Sequence, residues 1–183
     1  MPEHPEARQV EQVHKELLES WRGAMNLVGP GSTRIHFGDS RAVARAVAAQ
    51  GRWADLGSGA GFPGVAIAAW NPQAQVTLVE SRAKRSAFLR QVIRQSGLSN
   101  AVVFHGRVEE LEPASWDGLV SRAFAAPPAV LQHARRLLVP GGRLGLMLAR
   151  EVVEPPPDFT LETQLDYQVG DRLRSLVMLS YSP

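Results

Sequence analysis

Residues 53–64 read WADLGSGAGFPG, an apolar run that ends in an acid and is followed by four glycines within eight residues. Each glycine in a regular element costs roughly 0.5–1 kcal/mol relative to alanine. Such density is tolerated where the chain must turn through positive φ or come close to another group. Pro63 stands where a first helical turn accepts it, and the helix it opens runs to Trp70 before Asn71-Pro72 closes it. A buried strand, a glycine turn and a helix, in that order, restrict the chain to a sheet whose strands are joined by helical crossovers.

The remaining pattern agrees. Further strands are predicted at 76–80, 101–105, 117–121 and 143–149. Helices are predicted over 82–96, with Gly97 just beyond, and over 127–138, stopped by Pro140-Gly141-Gly142. PPPD at 155–158 marks a loop, and the alternating segments 159–169 and 174–181 pair as a final hairpin. The expected fold is α/β: a mostly parallel seven-stranded sheet with helices on both faces. Ahead of it, Val10, Val13, Leu17, Trp21 and Ala24 predict an amphipathic helix over 8–27, broken by GPGS at 29–32. A second helix is predicted over 39–49, with Asp39 or Ser40 as its N-cap. Residues 1–50 therefore read as a helical cap on a sheet domain at 51–183, the whole being one compact unit.

Composition excludes several chemistries. The chain has no cysteine, which removes disulfides, thiol nucleophiles and Cys-ligated metals. No cluster of His or carboxylates suggests a metal, and no apolar run is long enough to span a membrane. The polar N-terminus lacks a secretory signal, so a cytoplasmic location is expected, and nothing calls for more than a monomer. Basic residues are 18 Arg and two Lys with a net charge of only +2. That bias permits a nucleic-acid partner without demanding one, since GC-rich codon usage gives the same result.

Ligands of such sheets bind at the carboxyl ends of the strands. Gly59-x-Gly61-x-x-Gly64 matches the dinucleotide fingerprint, with Glu80 ending the next strand where a ribose-binding acid is expected. Asp55, just ahead of the glycines, suits a cationic amino group better than a pyrophosphate. S-adenosylmethionine carries an ammonium, a ribose diol and an adenine but no phosphate. It is favoured over a dinucleotide, and a tight turn without ligand is the remaining alternative. On this reading Asp55 serves the ammonium and Glu80 the ribose.

A more specific resemblance comes from motifs in order: Asn26-Leu27, His36 with Asp39-Ser40, DLGSGAGFPG, ESRAKRSAFLRQV (80–92), GRVEEL (106–111), SRAFA (121–125) and PGGRL (140–144). Together they resemble the bacterial small-subunit ribosomal RNA methyltransferase G family, also called glucose-inhibited division protein B. The resemblance implies a class I S-adenosylmethionine-dependent methyltransferase fold. It also implies methyl transfer to guanine N7 in 16S ribosomal RNA, in a loop near the decoding site of the small subunit. It assigns cofactor contacts to Gly57 and Phe62, to Val108 and Glu109 at the adenine, and to Arg122, beside Gly59 and Gly61 of the glycine loop.

Guanine N7 already owns a lone pair, so the implied reaction needs no general base and no covalent nucleophile. Arg107 and Arg122, each near the carboxyl end of a strand, are expected to hold RNA phosphate or the O6 edge of the guanine. The alternative for each is an intramolecular salt bridge, and for His36 a packed or capping role. The chain departs from the family pattern at Met147-Leu148-Ala149, where Met-Lys-Gly is usual, with Arg150 next, and at Ile35 before His36. The competing readings are a paralogue with another substrate and a non-catalytic adenosylmethionine-binding module.

Overall fold

The computed structural model of the chain describes residues 5–21, 33–149 and 154–183. The Asn26-Leu27 and GPGS stretches, the end of the first predicted helix, and Arg150 lie outside those residues.

Two helices, α1 (Pro5–Trp21) and α2 (Thr33–Val47), precede β1 (Gly51–Leu56). Then come α3 (Gly64–Trp70), β2 (Ala74–Glu80), α4 (Ala83–Ser96), β3 (Ala101–His105), a 3-10 turn (Val108–Glu110), β4 (Trp116–Arg122) and α5 (Pro127–Leu137). The chain closes with β5 (Leu138–Leu148), β6 (Phe159–Val169) and β7 (Arg172–Tyr181). The sheet has seven strands in the order β3-β2-β1-β4-β5-β7-β6. β1 to β5 pair in parallel, and β7 inserts antiparallel between β5 and β6. The order reverses at β1/β4, which is where sheets of this kind receive ligands.

Alternation along the strands feeds two apolar layers. Trp53, Val76 and Leu78 face Phe88, Leu89 and Val92 of α4 and the buried faces of α1 to α3. Leu119, Leu144, Leu146, Val177 and Leu179 face Val130, Leu131, Ala134 and Leu137 of α5. Gly97 ends α4 in the left-handed conformation, φ 70°, as its position predicted.

Two local expectations are corrected. Asp39 and Ser40 are not N-caps: α2 begins at Thr33, and both lie buried in its middle. The helix runs through Gly38, where a Cβ would lie 3.2 Å from Val169 Cγ1, so the glycine admits β6 against the helix. Nor does Pro140-Gly141-Gly142 stop α5. The helix ends at Leu137 and the chain is already extended at Leu138, so the triplet sits in the irregular start of β5, where the register with β4 shifts.

Candidate active site

The carboxyl ends of β1, β2 and β3 meet around the glycine loop. Gly57 and Gly61 have φ of 71° and 91°, a region closed to most side chains. A Cβ on Gly57 would lie 2.6 Å from the Phe124 ring, and one on Gly61 2.7 Å from Val65 Cγ2, so space and backbone both require glycine. Glu80, buried at the end of β2, accepts from the N–H of Gly59 at 3.1 Å and of Arg82 at 2.8 Å. It thereby ties the loop to the start of α4.

Asp55 is 1% exposed and turns beneath the loop, where Oδ2 accepts from the Gly64 N–H at 3.0 Å. Burial outweighs its hydrogen bonds to Ser58 and Gly64 and pushes its pKa up to about 6. From the other side His14 of α1 bonds through Nε2 to the Ala60 carbonyl at 2.7 Å. Burial lowers its pKa to about 4, so the neutral ring donates Nε2–H.

Beyond β3, Glu110 accepts from the Arg107 N–H at 3.0 Å, and its own N–H donates to the Arg107 carbonyl at 3.0 Å. The Arg107 side chain is exposed. Val108 is buried, and its carbonyl accepts from Arg136 of α5 at 2.7 Å. Glu109 is 64% exposed, 3.8 Å from His133 Nε2. The turn is thus held by its backbone, leaving the Arg107 side chain open at the sheet edge.

Phe62 lies deeper than the loop around it. It is 3% exposed, stacked on His14 and His36 with centroids 4.8 and 5.5 Å away, and crossed by Phe37 at 4.9 Å. Arg122 ends β4 with its guanidinium 5.1 Å from the Phe62 ring centroid. Its Nη1 lies 3.3 Å from both Asp39 Oδ2 and His36 Nδ1. The salt bridge weighed for Arg122 therefore exists, with Asp39. Burial lowers the Arg122 pKa from its ordinary value against the opposing pull of Asp39. Burial, then Arg122, lowers that of His36, whose neutral Nδ1 accepts from the guanidinium. Just after Arg122, Ala123 takes φ 52°, a strained value for a residue with a Cβ, and redirects the chain so that Phe124 leans on Gly57.

His36, Asp39, Arg122 and Ala123 line a cleft of about 530 Å³ at the carboxyl ends of β4 and β5. Met147, Tyr167 and Arg174 line it too, and the Tyr167 hydroxyl donates to Asp39 within it. The sequence did not single out Tyr167 or Arg174 for the site. They pair across β6 and β7, and the register puts Arg174 beside the end of β5. Its buried Nε has no hydrogen-bond partner among the described residues.

Residues 8–167 match the family described as rRNA small subunit methyltransferase G. A ribosomal RNA small subunit methyltransferase G from Chromohalobacter salexigens is 36% identical over 172 residues, covering 88% of this chain and 82% of its own. The chain belongs to this family. Another methyltransferase G, from Paracoccus denitrificans, is also 36% identical, over 85% of each chain. An O-methyltransferase from Bacillus cereus, solved in complex with SAH, superposes with a TM-score of 0.67 at 16% identity over 93% of this chain and 91% of its own. That likeness shows the fold, a class I methyltransferase sheet. In this chain, then, the glycine loop and the arginine-lined cleft are neighbours, linked where Arg122 lies over Phe62 and Phe124 lies against Gly57.

Proposed function

We propose that the chain transfers methyl from S-adenosylmethionine to N7 of a guanine in the decoding-region loop of 16S ribosomal RNA, acting on the small subunit in the cytoplasm. The observation that carries this reading is the adjacency just described. The glycine loop, with Glu80 beneath it, lies beside a cleft lined by Arg122 and by Arg174, whose buried Nε has no hydrogen-bond partner among the described residues. The names of the methyltransferase G relatives support the ribosomal RNA substrate.

When bound, the cofactor supplies a methyl group on a positive sulfonium. The main chain of Gly57, Gly59 and Gly61 lines its place, with Glu80 at the ribose and Val108 and Glu109 at the adenine. Asp55 acts on the ammonium end through the loop it holds, and Phe62 and Arg122 back the methyl end. In the reaction an N7–C bond forms, an S–C bond breaks, the positive charge passes to the base, and no proton leaves. The side chains need only align and dry the reactants. Asp39 fits this economy: Arg122 and Tyr167 occupy its two oxygens, so it is no free base.

Where the arginines bind can be decided electrostatically. A guanidinium on guanine O6 would draw electron density from N7 and oppose the charge that arrives there. Arg107, Arg122 and Arg174 are better used on flanking phosphates, which they neutralise and orient. The test is transfer of labelled methyl to small subunits from a strain lacking the modification. Mass spectrometry of the digested RNA should then find 7-methylguanosine. Tight S-adenosylmethionine binding without transfer would instead make the chain a binding module.

A further inference from the structure

The chemistry above leaves unused a second concavity, on the cap. Between α1 and α2 lies a groove of about 450 Å³ lined by Arg8 and Lys15 of α1 and Arg34 and Arg41 of α2. Glu11 is the one carboxylate among its lining residues, and it is already committed to Arg41 at 2.9 Å. Four cations against one carboxylate are concentrated here in a chain whose net charge is only +2. The side chains fall at helical spacing, so two helices aim their charges into one trough.

Helix α2 is the shared wall. Arg34, Phe37 and Arg41 line the groove, while His36 and Asp39 line the cleft. A helix with its side chains is roughly 10–12 Å across, about three nucleotide steps at ~3.4 Å each. A strand whose base enters the cleft thus reaches the groove within a few nucleotides by crossing α2.

We propose that the groove between α1 and α2 holds the phosphodiester backbone of the RNA flanking the target guanine. The proposal rests on the reading of the substrate as ribosomal RNA. Lys and Arg without accompanying base-reading groups give affinity and register, not sequence choice. The cap is then the part of the chain that retains the RNA while the sheet edge performs the transfer.

The experiment compares the wild type with the triple variant Arg8→Gln/Lys15→Gln/Arg34→Gln, which spares the Glu11–Arg41 pair. Binding of fluorescently labelled small subunits lacking the modification is measured over a salt series, with methyl transfer followed in parallel. The variant should bind at least about tenfold more weakly at low salt, and its log–log salt slope should be shallower by about 2, at ~0.7 per lost phosphate contact. Its S-adenosylmethionine affinity and its far-ultraviolet circular dichroism at the assay temperature should match the wild type, which excludes a folding defect. Equal affinity for the particles overturns the proposal. So does weaker binding with an unchanged salt slope, which would mean that the groove meets a protein surface. Wild type that binds particles but methylates none overturns the catalytic reading alone, and the binding comparison still decides the groove.

Discussion

The Tyr167 hydroxyl on β6 donates to Asp39 Oδ1 on α2 at 2.5 Å, and the other oxygen of that carboxylate accepts from Arg122 on β4 at 3.3 Å. One buried carboxylate therefore joins the cap, the sheet centre and the far edge of the sheet at the mouth of the cleft. Tyr167 is a positioning residue: it fixes Asp39, and Asp39 aims the guanidinium.

Tyr167→Phe should cost about 1–2 kcal/mol of stability, because it leaves a buried acceptor without its donor. Turnover should fall while S-adenosylmethionine affinity, read by calorimetry, holds. Arg122→Lys should lower turnover more, since a compact ammonium does not reproduce a planar guanidinium that lies over the Phe62 ring while bonding Asp39. An unchanged turnover in both variants would remove this network from catalysis.

Gly57→Ala tests the loop. The new methyl would meet Phe124 at a φ of 71°, so the loop or the ring must shift. We expect a loss of about 1–3 kcal/mol in stability from the backbone strain. Cofactor affinity should fall at least tenfold, measured by isothermal titration. Wild-type affinity would show that the loop does not carry the ligand.

Glu80→Ala should weaken cofactor binding at least tenfold as well, by removing the proposed ribose acceptor and releasing the Gly59 and Arg82 N–H groups. Glu80→Gln keeps one acceptor oxygen and should retain part of the affinity. If the two variants bind alike, the carboxylate serves only to hold the loop.

Acid titration should set two buried groups of the loop against each other. Asp55, raised from 3.8 to about 6, contributes stability that is fully present below pH 4 and is lost as pH rises through 6. His14, lowered from 6.5 to about 4, contributes stability that is present above pH 6.5 and is lost as pH falls toward 4. At ~1.4 kcal/mol per pKa unit, each effect is on the order of 3 kcal/mol. The wild-type melting temperature should therefore vary little between pH 4 and 6.5. Asp55→Asn should stabilise the fold at pH 8 and expose a loss toward acid, and His14→Gln should expose a gain toward acid. Parallel profiles for all three proteins would contradict the assignment.

Much of this arrangement is visible in the sequence, for identifiable reasons. Strands buried on both faces, the clustered glycines and the acid ending β2 are local signals, so the sheet and the cradle around Gly57 and Glu80 can be read directly. Asp39 shows where local reading stops. An Asp-Ser pair after a glycine looks like a helix start, yet packing against β6 carries α2 through it. His14 and Ala60 are 46 residues apart and Tyr167 and Asp39 are 128 apart, so no window of sequence contains either contact. Arg174 escaped notice because alternation predicts a hairpin but not that its second strand docks against β5, and only that docking brings the guanidinium to the cleft.

The inserted position of β7 has a consequence for biosynthesis. Within the sheet β6 hydrogen-bonds to β7 alone, so the earlier-made strand must wait for the later one before it can dock. A nascent chain halted before residue 172 would present β5 as a bare edge open to intermolecular pairing. Premature stop codons in this stretch should therefore yield insoluble protein rather than a weakened enzyme.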